Sequence, residues 1–203
     1  MGLNMVLEAQ DDIEVIGEAS DGAGAVEAAA RLAPAVVLMD VRMPGIDGVA
    51  ATRTITESGS ATKVLVMTTF DLDENVLGAL RAGASGFLLK DTPPEDLVSA
   101  IRSVAAGDAV VSPKVTKRLL SRFVAHSVPS TDASVLDALT GREREVLVHL
   151  ATGMSNAEIA AVLHLSEATI KTHIGRILTK LDVRDRVQAV VLAYETGLVR
   201  PGS

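Results

Sequence analysis

The stretch Ala35-Val36-Val37-Leu38-Met39-Asp40 constrains the fold more than any other part of the chain. Five apolar residues run straight into one carboxylate, and Met43-Pro44-Gly45 follows as a turn. A short apolar run next to turn residues is the pattern of a strand buried on both faces, as in a parallel sheet. Ligands of such sheets bind at the carboxyl ends of the strands, which is where Asp40 falls. Two further predicted strands end in reactive side chains: Val64-Leu65-Val66-Met67 runs into Thr68, and Gly86-Phe87-Leu88-Leu89 into Lys90. As parallel neighbours they bring an acid, a hydroxyl and an amine to one edge. That set suits phosphoryl chemistry on a carboxylate, with Asp40 as nucleophile and Thr68 and Lys90 holding the phosphoryl oxygens.

The segments around these strands alternate between strand and helix patterns. Residues 1–10 read as the end of a helix, 13–17 as a strand, and 23–32 as an Ala-rich helix after the Asp21-Gly22 turn. Helices are predicted over 49–57 and 73–82. Thr92-Pro93-Pro94-Glu95 reads as a helix start with Thr92 as N-cap, followed by Leu97, Ile101 and Val104 on one face and closed by Gly107. Such alternation indicates a doubly wound α/β sheet. Residues 113–124 form one more predicted helix, amphipathic and basic, and 125–137, rich in Ser, Thr, Pro and Asp, read as a linker.

Beyond the linker the pattern is all helical. Three helices open with capping-box signals, Thr140-x-x-Glu143, Ser155-x-x-Glu158 and Asp185-x-x-Gln188, and a fourth runs over 167–181 after Ser166. Ile159, Leu163 and Leu165 lead into Ile170, Ile174, Ile177 and Leu181, so two helices joined by a short turn share an apolar face. The second presents Lys171, Thr172, His173, Arg176 and Lys180 away from that face, a basic surface suited to the major groove of double-stranded DNA.

Charge divides the chain in the same place. The net charge of −7 resolves into −8 over residues 1–138 and +1 over 139–203, so two modules with different tasks are expected and any DNA contact must come from a local basic face. Aromatics make up 2%, which excludes a base-stacking surface for single strands. The absence of cysteine excludes disulfides and thiolate metal sites and fits a cytoplasmic protein. No apolar run is long enough to span a bilayer, so no membrane association is expected. His126, His149 and His164 share no metal-ligand spacing.

At this point the sequence resembles the NarL/LuxR class of two-component response regulators. The receiver resemblance rests on residues 36–48, on Thr68, and on Ala82-Gly83-Ala84-Ser85-Gly86-Phe87-Leu88-Leu89-Lys90-Asp91. The output resemblance rests on residues 139–147 and 155–181. The resemblance implies a flavodoxin-like receiver over residues 1–109, a linker with a helix over 110–137, and a four-helix helix-turn-helix domain over 138–203. It further implies that Asp40 accepts a phosphoryl group from a sensor histidine kinase. Thr68 and Lys90 would be switch residues and Phe87 the aromatic that repacks with them. The helix from Glu167 would be the recognition helix, and the last helix, around Val187, Val190 and Val191, a homodimer contact. Family receivers begin with a strand ending in an acidic pair that binds Mg²⁺; Met1-Gly2-Leu3 already matches the interior of the first helix. That strand is therefore expected to be missing, leaving Asp40 as a partial Mg²⁺ site. Asp11-Asp12 is no substitute, because a pair preceding the 13–17 strand lies at the opposite edge of a parallel sheet.

Three rival readings compete. A haloacid-dehalogenase-like phosphatase needs a second acid two residues after the nucleophile, and here that residue is Arg42, so no enzyme is expected. A ligand-sensing LuxR-type regulator needs an aromatic-lined pocket, which this composition does not supply. A phosphorylation-independent DNA-binding regulator with a degenerate or truncated receiver remains the alternative.

Overall fold

The computed structural model describes residues 3–68, 74–107 and 132–199, and the side chains of 74–77 are not among those described. The chain divides into two compact units, Met1–Val110 and Val111–Ser203. The helix expected over 113–124 lies outside the described residues.

The first unit contains, in order, α1 (Leu3–Glu8), α2 (Gly22–Leu32), β1 (Val36–Asp40), α3 (Gly48–Glu57), β2 (Lys63–Thr68), α4 (Glu74–Arg81), β3 (Gly86–Leu89) and α5 (Pro94–Ala105). Its three described strands are parallel in the order β1-β2-β3. The register pairs Asp40 with Met67 and Thr68 with Leu89, so the three reactive strand ends lie at the same edge. β2 is the central strand, and Val64, Leu65 and Val66 are all at most 1% exposed, which is why its sequence is apolar from Val64 to Met67. Alternate side chains serve opposite faces. Leu65 joins Leu7, Leu97, Val98, Ile101 and Val104 in one cluster under α1 and α5. α3 covers the sheet with the fully buried Ala51 and Ile55 and packs against α2 and α4.

Two local expectations are corrected. Residues 13–17 form no strand: they carry no ladder, and β1 is paired through β2 alone among the described residues. The alternating apolar side chains are still used, since Ile13 and Val15 pack against the Leu65 cluster. Alternation therefore reported one-sided packing rather than strand pairing. In α5 the N-cap is Pro93, with no side-chain cap bond, and not Thr92. A residue before proline is pushed out of the α region; Pro93 accordingly sits at φ −54°, ψ 146°, and the helix starts one residue later, at Pro94.

In the second unit a 3₁₀ helix (Ala133–Ala138) precedes α6 (Gly141–Ala151), α7 (Asn156–Leu163), α8 (Glu167–Leu181) and α9 (Arg186–Glu195). The 3₁₀ helix takes up part of the expected linker. Asp132 caps it through Ser134 N–H, and its Leu136 is 2% exposed, so a single apolar anchor within a polar stretch suffices to order it. The caps at Thr140 and Ser155 are reciprocal, with Glu143 and Glu158 reaching back to the N-cap backbone. Asp185 accepts from Gln188 N–H at 3.1 Å. Val146, Leu147, Leu150, Ile159, Ile170 and Ile177 are each at most 1% exposed and form the centre of the bundle.

Candidate functional site

The carboxyl edge of the sheet brings Asp40 and Lys90 into direct contact. Lys90 Nζ lies 2.5 Å from Asp40 Oδ2, although β2 separates their strands. Only a long side chain can bridge that gap, since two strand spacings amount to about 10 Å. Asp40 Oδ1 accepts the Arg42 backbone N–H at 3.1 Å, which fixes the carboxylate in the turn that follows the strand. Both partners remain open to solvent, at 43% for the Lys90 side chain and 34% for Asp40. Thr68 ends the intervening strand at 7% exposure, and its carbonyl accepts the Lys90 backbone N–H at 2.8 Å. Phe87 is 4% exposed and sits in β3 opposite Val66, so its ring belongs to the core.

Gly48 supports this edge in a way that composition alone does not reveal. A Cβ on Gly48 would meet the Asp40 carbonyl oxygen at 2.0 Å and Val41 Cα at 2.9 Å. Gly48 N–H also donates to Val41 O at 3.0 Å. The backbone of α3 is thus pressed against the strand end that carries the carboxylate. Asp47, immediately before it, caps α3 through Ala50 N–H at 2.8 Å.

Asp12 is engaged elsewhere. Arg102 donates to both of its carboxylate oxygens, from Nε at 2.8 Å and from Nη2 at 2.7 Å, and to Gln10 Oε1 at 3.1 Å. The bond from Arg102 holds the Asp12 carboxyl below its ordinary range. Arg102 lies in the last turn of α5, roughly 12 Å along the helix from Pro94 at 1.5 Å per residue, so this pair sits far from the Lys90 edge.

In the second unit, α7 and α8 are joined through residues 164–166, with His164 in the left-handed conformation at φ 53°. Ser166 caps α8 through Thr169 N–H at 3.1 Å. Ile170, Ile177 and Leu181 face the core, leaving Lys171, Thr172, Gly175 and Arg176 exposed on the opposite side. The Thr172 hydroxyl donates back to Ala168 O at 3.0 Å. His173 is half-buried, and its Nδ1 is buried with no hydrogen-bond partner among the described residues. Lys180 departs from the expected outer face: its Nζ lies 2.7 Å from Oε2 of Glu143, a residue of α6 that is only 2% exposed. That carboxyl is held down from 4.5 to about 2, chiefly by the Lys180 hydrogen bond and then by the Thr140 backbone N–H.

The last helix also requires a correction. Val187, Val190 and Val191 are each at most 6% exposed. They are core residues, because their helical spacing directs them inward from α9, which packs on α6 and α8. Gln188, Leu192 and Glu195 are half-buried positions of the same helix.

Residues 1–102 match the response regulator receiver domain, and residues 137–193 match the bacterial regulatory proteins of the LuxR family. The chain belongs to the LuxR-type response regulators. It is 45% identical to the transcriptional regulatory protein LiaR of Bacillus subtilis, over 98% of this chain and 93% of that protein. Its identity to the response regulator VraR of Staphylococcus aureus is 38%, again over 98% and 93%. Among solved structures it resembles the response regulator ChrA of a heme-sensing two-component system, with a TM-score of 0.50, 36% identity, and coverage of 97% of this chain and 91% of that one. A LuxR-family response regulator from Aurantimonas gives a TM-score of 0.54 at 32% identity, over 59% and 86%. The parallel sheet with flanking helices is therefore a receiver domain and the helical unit a LuxR-type DNA-binding domain. The protein is a DNA-binding transcriptional regulator of the two-component type and not an enzyme, and its family works with DNA and a sensor kinase. No described helix is long and apolar enough to cross a membrane.

Receiver domains generally use Mg²⁺ when they are phosphorylated. The described residues do not complete such a site. No group of three or more His, Asp or Glu side chains able to hold a metal occurs among them. Asp47 caps a helix, Asp12 is held by Arg102, and Asp40 alone with backbone oxygens is a poor octahedral donor set.

Proposed function

We propose that Asp40 is the residue phosphorylated by this regulator's sensor histidine kinase, and that the phosphorylated receiver switches a major-groove DNA-binding unit. The observation that carries this reading is the 2.5 Å contact between Lys90 Nζ and Asp40 Oδ2 at the carboxyl edge of the sheet. An oxygen of Asp40 attacks the phosphorus, and the bond from phosphorus to the kinase histidine nitrogen breaks. Lys90 is in place to balance the charge that arrives on the phosphoryl oxygens. Thr68, at the neighbouring strand end, takes one of those oxygens, and Phe87 repacks with it. In the output unit, Lys171, Thr172 and Arg176 face the groove from α8, with His173 buttressing the helix beneath them. A second copy docks through the half-buried face of α9, which sets two half-sites on the operator. The setting proposed is the cytoplasm, where kinase output and DNA are both present.

The experiment that tests this reading also tests one alternative: a regulator whose LuxR-type unit binds DNA without phosphorylation. Intact mass spectrometry after incubation with Mg²⁺ and acetyl phosphate separates the two. The expected result is one phosphoryl group on the wild type and none on Asp40→Asn. Equal uptake by both would refute the assignment of Asp40. No uptake by a folded wild type would favour the phosphorylation-independent reading.

A further inference from the structure

The exposed cations of α8 divide into two kinds. Lys171 and Arg176 point away from the bundle, whereas Lys180 reaches back into it. Its target, Glu143 Oε2, already accepts Thr140 N–H at 2.8 Å and the Thr140 hydroxyl at 2.9 Å, and Lys180 Nζ completes the set at 2.7 Å. Glu143 stands in the first turn of α6 and Lys180 in the last turn of α8, so each charge also complements the end of its own helix. A carboxylate at 2% exposure cannot turn away to find another cation, and breaking such a pair leaves a buried charge uncompensated.

The remaining elements of the helix pair are held in the same manner. Arg142, next to Glu143, donates from Nη2 to Leu163 O at the end of α7, at 2.8 Å. From α9, Arg186 Nη1 donates to Asn156 Oδ1 at the start of α7, at 2.8 Å. Both ends of α7 and the far end of α8 are thus tied to α6 or α9 by charged side chains.

We propose that Lys180 is a positioning residue for DNA recognition: by pairing with Glu143 it sets the pose of α8, and it makes no contact with DNA phosphate. This rests on the reading of α8 as the groove-facing helix. The pair fixes the carboxyl end of the helix, so the angle at which Lys171 and Arg176 meet the duplex depends on a residue about one turn beyond Arg176.

The test uses the full chain and a duplex selected by the wild type from a random-sequence pool, with affinity measured across a salt series. A lysine that neutralises a phosphate contributes about 0.9 to the slope of log K against log salt. Lys180→Met and Glu143→Gln are each expected to lose affinity by roughly tenfold with the slope unchanged. The double variant is expected to be no worse than either single one, and Lys180→Arg to recover most of the loss. Lys171→Ala and Arg176→Ala, in contrast, are expected to lower the slope. The proposal is overturned if Lys180→Met lowers the slope by about 0.9 while Glu143→Gln binds like the wild type. If Lys180→Met does not fold, Lys180→Gln replaces it, because an amide can still bond Glu143 without carrying charge. A retained slope then supports the proposal and a lowered one overturns it. A folded wild type that selects no duplex would instead refute the DNA reading itself, a separate result.

Discussion

Lys90 and Gly48 act on the same residue, Asp40, from different directions: one on its carboxylate, the other on its backbone. Lys90 supplies the charge that faces Asp40, at 2.5 Å. Its removal leaves the phosphoryl oxygens without their nearest cation, so Lys90→Ala is expected to slow phosphoryl uptake from acetyl phosphate on the order of 10²-fold, read as the time course of the intact-mass shift. Gly48 supplies space. Its Cβ would stand 2.0 Å from the Asp40 carbonyl oxygen, a backbone atom with no freedom to yield. Gly48→Ala is therefore expected to destabilise the first unit by about 1–3 kcal/mol, measured by urea unfolding, and an unchanged midpoint would show that α3 can shift at no cost. The two residues differ in how visible they are beforehand. Lys90 is legible because it ends an apolar strand in a recognisable motif. The need for Gly48 arises from a contact between α3 and a strand end eight residues back, which periodicity does not encode.

At the scale of elements, the strands and helices that build the core were legible because their apolar spacing matches their burial. Val64 to Val66 and Ile170 to Ile177 are examples. Residues 13–17 were misread for a physical reason: alternation shows which side chains are buried but cannot show whether the backbone has a ladder partner. The contact of Lys180 with Glu143 is not legible, because a lysine on an outer helix face and one folded back onto a neighbouring helix have the same sequence spacing. Its partner gives a pH prediction. The Glu143 carboxyl is held from 4.5 down to about 2 in the folded unit. A depressed folded value means the stabilisation is fully present above the unfolded value and is lost as pH falls. Helix content of the second unit should thus weaken between about pH 4.5 and 2, followed by circular dichroism, and Glu143→Gln should flatten that dependence. Gly175 gives the complementary case on the outer face of α8. Among the described residues, nothing beyond its own helix backbone stands within 4 Å of its missing Cβ. Gly175→Ala is expected to stabilise the unit by up to about 1 kcal/mol in thermal unfolding. A concurrent loss of DNA affinity would mean that the backbone there approaches the duplex.

The whole molecule joins a receiver unit with Asp40 and Lys90 at one sheet edge to a LuxR-type DNA-binding unit. Its acidic first part keeps binding from being indiscriminate, with −8 over residues 1–138 against +1 over 139–203. On the function proposed, the state of Asp40 governs what α8 does. The most direct test is the affinity of the full chain for its selected duplex, by fluorescence anisotropy at fixed salt, with and without acetyl phosphate and Mg²⁺, for the wild type and Asp40→Asn. The prediction is that phosphodonor tightens binding by the wild type by about tenfold or more and leaves Asp40→Asn unchanged. Equal affinity in all four conditions, with the wild type folded and binding, would contradict the switch and leave a regulator governed by its DNA-binding half alone.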